Sequence, residues 1–209
     1  MSKYLFGDAD LLNSTLLPAH PYYWVSYSTS TTSGFLGRKV TTLTPSASFN
    51  AYATLGAAIN WREETFEVGG RMKKWEDLTH KTGGMFSRQG PPGLHSVHSF
   101  YTDTLSIHSK REWTWSDRTY MVKFHDHDDH WTATLDAAEN PPSAVFTVRK
   151  MAKSGKPPEP ANIVFAPGVS PEDMAFLILV IIYSETKRVE RDEEIADFVK
   201  EVVSGVVSG

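Results

Sequence analysis

Residues Ser170 to Val189 read SPEDMAFLILVIIYSETKRV, and the nature of this one stretch decides the fold. Ser170 suits a helix N-cap, Pro171 suits the first helical position, where its missing N–H costs nothing, and Asp173 stands three residues after the cap as in a capping box. Glu172 and Asp173 fall at the positive end of the helix dipole, with Lys187, Arg188 and Arg191 near the negative end. The stretch therefore predicts a helix over 171–189. From Met174 to Tyr183 its side chains are apolar around the whole circumference, which requires burial on every face. A membrane span needs about 20 predominantly apolar residues. This run is half that length and is bounded by Glu172, Asp173, Glu185 and Lys187, so the expectation is a core helix and no transmembrane span.

What surrounds the helix reads as strands. Pro21–Tyr27 is aromatic-rich and Lys39–Leu43 β-branched, with the polar STSTTSG run between them read as a loop ending near Gly34. Ala57–Trp61 and Thr65–Val68 make a strand pair, followed by a Gly69-Gly70 turn and a short segment through Met72 and Trp75. The centre of the chain alternates most cleanly. Trp113 and Trp115 share one face, then Tyr120, Val122 and Phe124, then Trp131, Ala133 and Leu135, as in sheets with one face buried. Ala144–Val148 and Asn162–Phe165 add two more strands. Many short strands followed by one all-apolar helix predict a mainly β protein, an antiparallel sheet or barrel closed around that helix. Residues 1–20 read as a lead-in, 21–191 as one domain and 192–209 as an amphipathic tail.

Composition narrows the function classes. With 209 residues there is enough chain to bury a large core, and a formal net charge of −4 argues against a protein that coats nucleic acid. No cysteine is present, which removes disulfides, thiol catalysis and Cys-based zinc sites together. The start, MSKYLFGDADLL, lacks the basic and apolar regions of a secretory signal, so the expected location is cytoplasmic.

With KVTTL at Lys39–Leu43, AAINW at Ala57–Trp61, YMVKF at Tyr120–Phe124, SAVF at Ser143–Phe146 and the closing DMAFLILVIIYSETKR at Asp173–Arg188, the chain resembles an uncharacterised fungal family of the tubby C-terminal-like and LURP-one-like superfamily. The resemblance covers roughly residues 22–191. It implies a β-barrel threaded by a hydrophobic C-terminal helix. Tubby proteins bind phosphoinositides and the related scramblases act at membranes, so it also implies a non-enzymatic binding or scaffold protein that recognises phospholipid or protein through barrel loops. No numbered position here matches a known head-group pocket.

The strongest local candidate for chemistry is the run His125-Asp126-His127-Asp128-Asp129-His130. Its first reading is a polar hairpin joining the strands on either side, because His and Asp are common in turns. The alternative is a metal-dependent hydrolase with His125, His127, Asp129 and His130 as ligands for zinc, His125 and His127 projecting from one strand face. A distant ligand from His95, His98 or His108 would strengthen that alternative. Ser96, His98 and Asp103 supply triad residue types without a nucleophile elbow, and Gly83-Gly84 and Gly90–Gly93 lack the lysine of a phosphate loop. Basic clusters at Arg71, Lys73, Lys74 and at Arg149, Lys150, Lys153, Lys156 read as solvated surface. In the tail, Ile195, Phe198, Val199, Val202 and Val203 recur at helical spacing opposite Glu194, Asp197, Lys200 and Glu201. That pattern predicts a second amphipathic helix packed on the barrel mouth after a break near 190–192, with self-association through 192–209 as the sharper alternative.

Overall fold

The computed structural model describes residues 1–20, 25–35, 37–46, 55–80, 110–136, 141–151 and 157–207. Seven strands come first: β1 (Ser2–Phe6), β2 (Thr15–Pro18), β3 (Tyr27–Gly34), β4 (Gly37–Pro45), β5 (Ala57–Asn60), β6 (Thr65–Val68) and β7 (Arg71–Lys74). A single helical turn, α1 (Trp75–Leu78), leads to β8 (Thr79–His80), β9 (Lys110–Trp115), β10 (Arg118–His125), β11 (His130–Leu135), β12 (Ala144–Thr147), β13 (Asn162–Phe165) and the long α2 (Pro171–Val207). All thirteen strands join one antiparallel sheet in the order β7-β6-β5-β4-β3-β2-β1-β13-β12-β11-β10-β9-β8.

Local chemistry explains the hairpins. Gly69 and Gly70, at φ 58° and 77°, form the two-residue turn that pairs Val68 with Arg71. Ser116 and Asp117, also at positive φ, do the same between Trp115 and Arg118. Period-two patterning places Trp113, Trp115, Tyr120, Val122, Phe124, Trp131 and Ala133 inside, as alternation demands. The STSTTSG run is a strand, not the expected loop. Its β-branched threonines favour the pleated backbone, and its hydroxyls find partners there. Thr29 Oγ1 donates to the Leu11 carbonyl at 2.8 Å, and Thr31 and Thr41 share a 2.7 Å bond across β3 and β4. The first twenty residues are likewise more than a lead-in, since β1 pairs with both β2 and β13 at the middle of the sheet.

The helix occupies the centre of the core. Ala175 to Ile182 are buried without a gap. A helix satisfies its own backbone donors and acceptors, which lets it sit where nothing else could pair with them. Phe176 stacks on Trp115 with centroids 5.1 Å apart and meets Phe66 edge-on at 6.2 Å. Its start is as the sequence predicts. The Asp173 amide donates to Ser170 Oγ at 3.1 Å, while that hydroxyl donates back to the Asp173 carboxylate. Asp173 is buried and ion-paired with Arg118; burial first, and then the Asp173 carboxylate, push the Tyr120 phenol up to about 12.

Two further differences from expectation matter for the site. The helix does not break near 190–192. Nothing between Glu190 and Ser204 disfavours helix, and pairs such as Arg188–Asp192 at 2.7 Å and Lys187–Glu190 at 2.9 Å staple successive turns. The result is one helix of 37 residues, about 55 Å long. The sheet ladder, for its part, is not closed by hydrogen bonds. Its edges are β7 and β8, which α1 joins through four residues, and Arg71 and Lys73 of β7 lie over the Trp115 ring of β9 at 5.5 and 5.2 Å. No helix among the described residues is long and apolar enough to cross a membrane.

Candidate functional site

The HDHDDH run is a hairpin tip, as its first reading holds. His125 and His130 form the last pair of β10 and β11, and Asp126 to Asp129 make the exposed connection, with Asp129 at φ 50°. The two imidazoles stack face to face, 4.5 Å between centroids and 8° from parallel, and His125 Nε2 lies 3.0 Å from Thr132 Oγ1. Partial burial, and then the neighbouring His130 and Lys123, lower the basicity of His125, with Asp128 and Asp126 acting in the other direction. His125 and His130 thus come together, whereas His127 and Asp129 lie exposed on the connection. Among the described residues no three His, Asp or Glu side chains converge as a metal site needs. His95, His98 and His108, the triad types Ser96 and Asp103, and the glycines of 83–93 lie outside the described residues.

A different constellation forms where α2 leaves the sheet. Tyr183 sits at the end of the buried run, ringed by Trp61, Phe66, Trp75 and Trp113 at 4.6 to 5.9 Å between centroids. Burial pushes its phenol up, and Arg111, hydrogen-bonded to it, pulls the other way. Two residues on, Glu185 is buried. It accepts from the Trp131 indole at 2.8 Å and from Arg188 through Nε at 2.8 Å and a terminal nitrogen at 2.7 Å. That paired carboxylate keeps the Arg188 guanidinium above its usual range. At the opposite end Trp115 donates to Glu172, so two of the core indoles are satisfied by helix carboxylates.

The next turn turns cationic. Arg111, Lys187, Arg188 and Arg191 line a recess of about 320 Å³ together with Trp131 and Tyr183, and Glu190 and Glu194 complete its rim. Their engagements differ. Arg188 is taken by Glu185 and Asp192, and Lys187 by Glu190, which also pairs with Arg38. Among the described residues Arg191 has only Asp192, at 3.9 Å, and its buried Nε–H has no acceptor. A second recess of about 340 Å³ on another side of the helix is more apolar, with Leu11, Leu12, Val148 and Val189 in its wall and beside them the buried Nε of Arg149, which has no partner among the described residues. Two basic clusters read as solvated surface in the sequence, around Arg71 and around Arg149. Arg71 is ion-paired with Glu172, and Lys153 and Lys156 lie outside the described residues.

Sequence reasoning misses the cationic recess. In the sequence Lys187, Arg188 and Arg191 read as helix-dipole partners and as part of the helix-end pattern, and Arg111 carries no local signal because its place on the recess depends on how β9 and α2 come together. Comparison of the chain with protein-family models, with curated proteins and with solved structures finds no match in any of the three.

Proposed function

We propose that this protein is a non-catalytic binding module in which the sheet curls into a tubby-like barrel around α2, and that the barrel mouth at the helix exit receives the phosphorylated head group of a phospholipid. Two observations support the barrel: the sheet's edge strands are separated by only four residues, and Ala175 to Ile182 are buried on all sides. One observation carries the ligand. The buried Arg191 Nε–H has no acceptor among the described residues, and Arg191 lines a recess that already gathers Arg111, Lys187 and Arg188. A buried donor left unpaired costs about 1–3 kcal/mol, and a phosphate oxygen would supply the missing acceptor with a charge-assisted bond. Arg is suited to this because its planar fork matches phosphate geometry.

The reading predicts recruitment to phosphatidylcholine vesicles doped with a phosphoinositide, and weaker binding as salt rises, because the site is open to screening. Arg111→Ala and Arg191→Gln should each reduce binding about tenfold, equivalent to about 1.4 kcal/mol. Calorimetry with the soluble head group, inositol trisphosphate, separates a lipid from a free phosphate ligand. Failure of both probes, or wild-type binding by both variants, would overturn the proposal.

A further inference from the structure

The more apolar recess beside α2 holds an arginine that has nothing to pair with among the described residues. The Asp10 carboxylate folds the loop after β1 by accepting from the Leu12 amide at 2.9 Å and from Asn13 Nδ2 at 2.8 Å. Leu11 and Leu12 of that loop, Phe146 of β12, Val148 just after it, Ala161 before β13 and Val189 of α2 then form an apolar wall. Arg149 follows Val148 in the same wall. It is partly buried, and its buried Nε–H has no acceptor among the described residues. The other charges of the wall are engaged or solvated. Arg38 is ion-paired with Glu190 and Glu185 with Arg188, while Glu193 is exposed, where water and salt screen it.

We propose that this recess binds a fatty carboxylate, its head group on Arg149 and its tail along the apolar wall. Small-molecule sites are typically apolar hollows of this size with a few placed polar groups. An apolar cavity of about 150 Å³ already admits benzene, so about 340 Å³ has room for a chain of about ten carbons. Burial of that chain supplies the affinity, and the buried donor decides the head group. A single guanidinium presents one planar fork, which matches the two oxygens of a carboxylate. A phosphate dianion would need a second cation, and Arg38, the other one in the wall, is already paired. A cationic head group would leave the Arg149 donor unpaired and set a like charge beside it. The site is distinct from the one proposed for a phosphorylated head group, since Glu190 alone lines both recesses.

Calorimetric titration of the full chain with sodium decanoate tests the proposal. The wild type should bind with a dissociation constant below about 1 mM, and decyltrimethylammonium, which has nearly the same tail and the opposite charge, should bind at least about tenfold more weakly. Arg149→Met keeps the apolar stem and removes the fork, so it should lose about tenfold in decanoate affinity. Val189→Glu, at a position 40% exposed and so compatible with folding, sets a carboxylate in the wall and should lose as much. Circular dichroism checks that both variants are folded. Arg191→Gln should bind decanoate like the wild type, and Arg149→Met should bind inositol trisphosphate like the wild type, so this reading and the head-group reading fail separately. No binding of decanoate, equal binding of the two amphiphiles, wild-type affinity in Arg149→Met or Val189→Glu, or loss of decanoate binding in Arg191→Gln would overturn the fatty-carboxylate site.

Discussion

Phe176→Ala is expected to lower the unfolding free energy by about 3–5 kcal/mol, the usual cost of emptying an aromatic site in a closed core. Phe176 is wholly buried, stacked on Trp115 and edge-on to Phe66, in the middle of the buried run of the helix. Its neighbours cannot collapse into the space. Trp115 is held by its bond to Glu172, and Phe66 is packed between Trp113, Trp75 and Tyr183. The loss is large against a typical total stability of about 5–15 kcal/mol. Phe198→Ala is the internal control. It lies on the same helix but is 51% exposed, so it should shift stability by about 0.5 kcal/mol or less in dilute solution. Urea denaturation measures both, and equal losses would mean that the helix is not the centre of the core.

Arg188→Met carries the second large effect. Glu185 is 5% exposed and is neutralised by the two-pronged contact from Arg188. Removing only the guanidinium leaves a carboxylate buried without its counter-charge, a change worth about 3–5 kcal/mol in well-buried pairs. Arg188 itself is 20% exposed, which places the expected loss near 3 kcal/mol, at the lower end. Adding Glu185→Leu should recover part of it. What remains missing is the acceptor of the Trp131 indole, worth about 1–2 kcal/mol. Thermal or urea unfolding of the four proteins forms a double-mutant cycle. An additive cycle would show that the buried pair does not couple.

The parts of this architecture that are legible in the sequence are the local ones. Ser170, Pro171 and Asp173 announce the helix start because a capping box is closed within four residues, and Met174 to Tyr183 announce burial because an apolar circumference has no other use. Gly69-Gly70 marks a hairpin because two adjacent positive φ values nearly demand it. The polar strand β3 is hidden for the opposite reason. Its serines and threonines resemble a loop until β4 and the 11–14 turn are present to receive their hydroxyls. β1 is hidden because its partner β13 lies at the far end of the chain. The same distinction governs the candidate site. The hairpin at His125–His130 is visible from its flanking alternation, but the cationic mouth is assembled from β9, β11 and α2, and only topology makes Arg111 a neighbour of Arg191.

The central claim is that one continuous helix is core from Ala175 to Ile182 and largely exposed from Asp192 to Glu201. Hydrogen exchange resolved along α2 tests it most directly. Amides of Phe176 to Tyr183 should exchange only through global unfolding, among the slowest in the protein, and those from Glu193 onward should exchange orders of magnitude faster. Equal protection along the whole helix, or faster exchange at 176–183 than in the strands β10 and β11, would contradict the account.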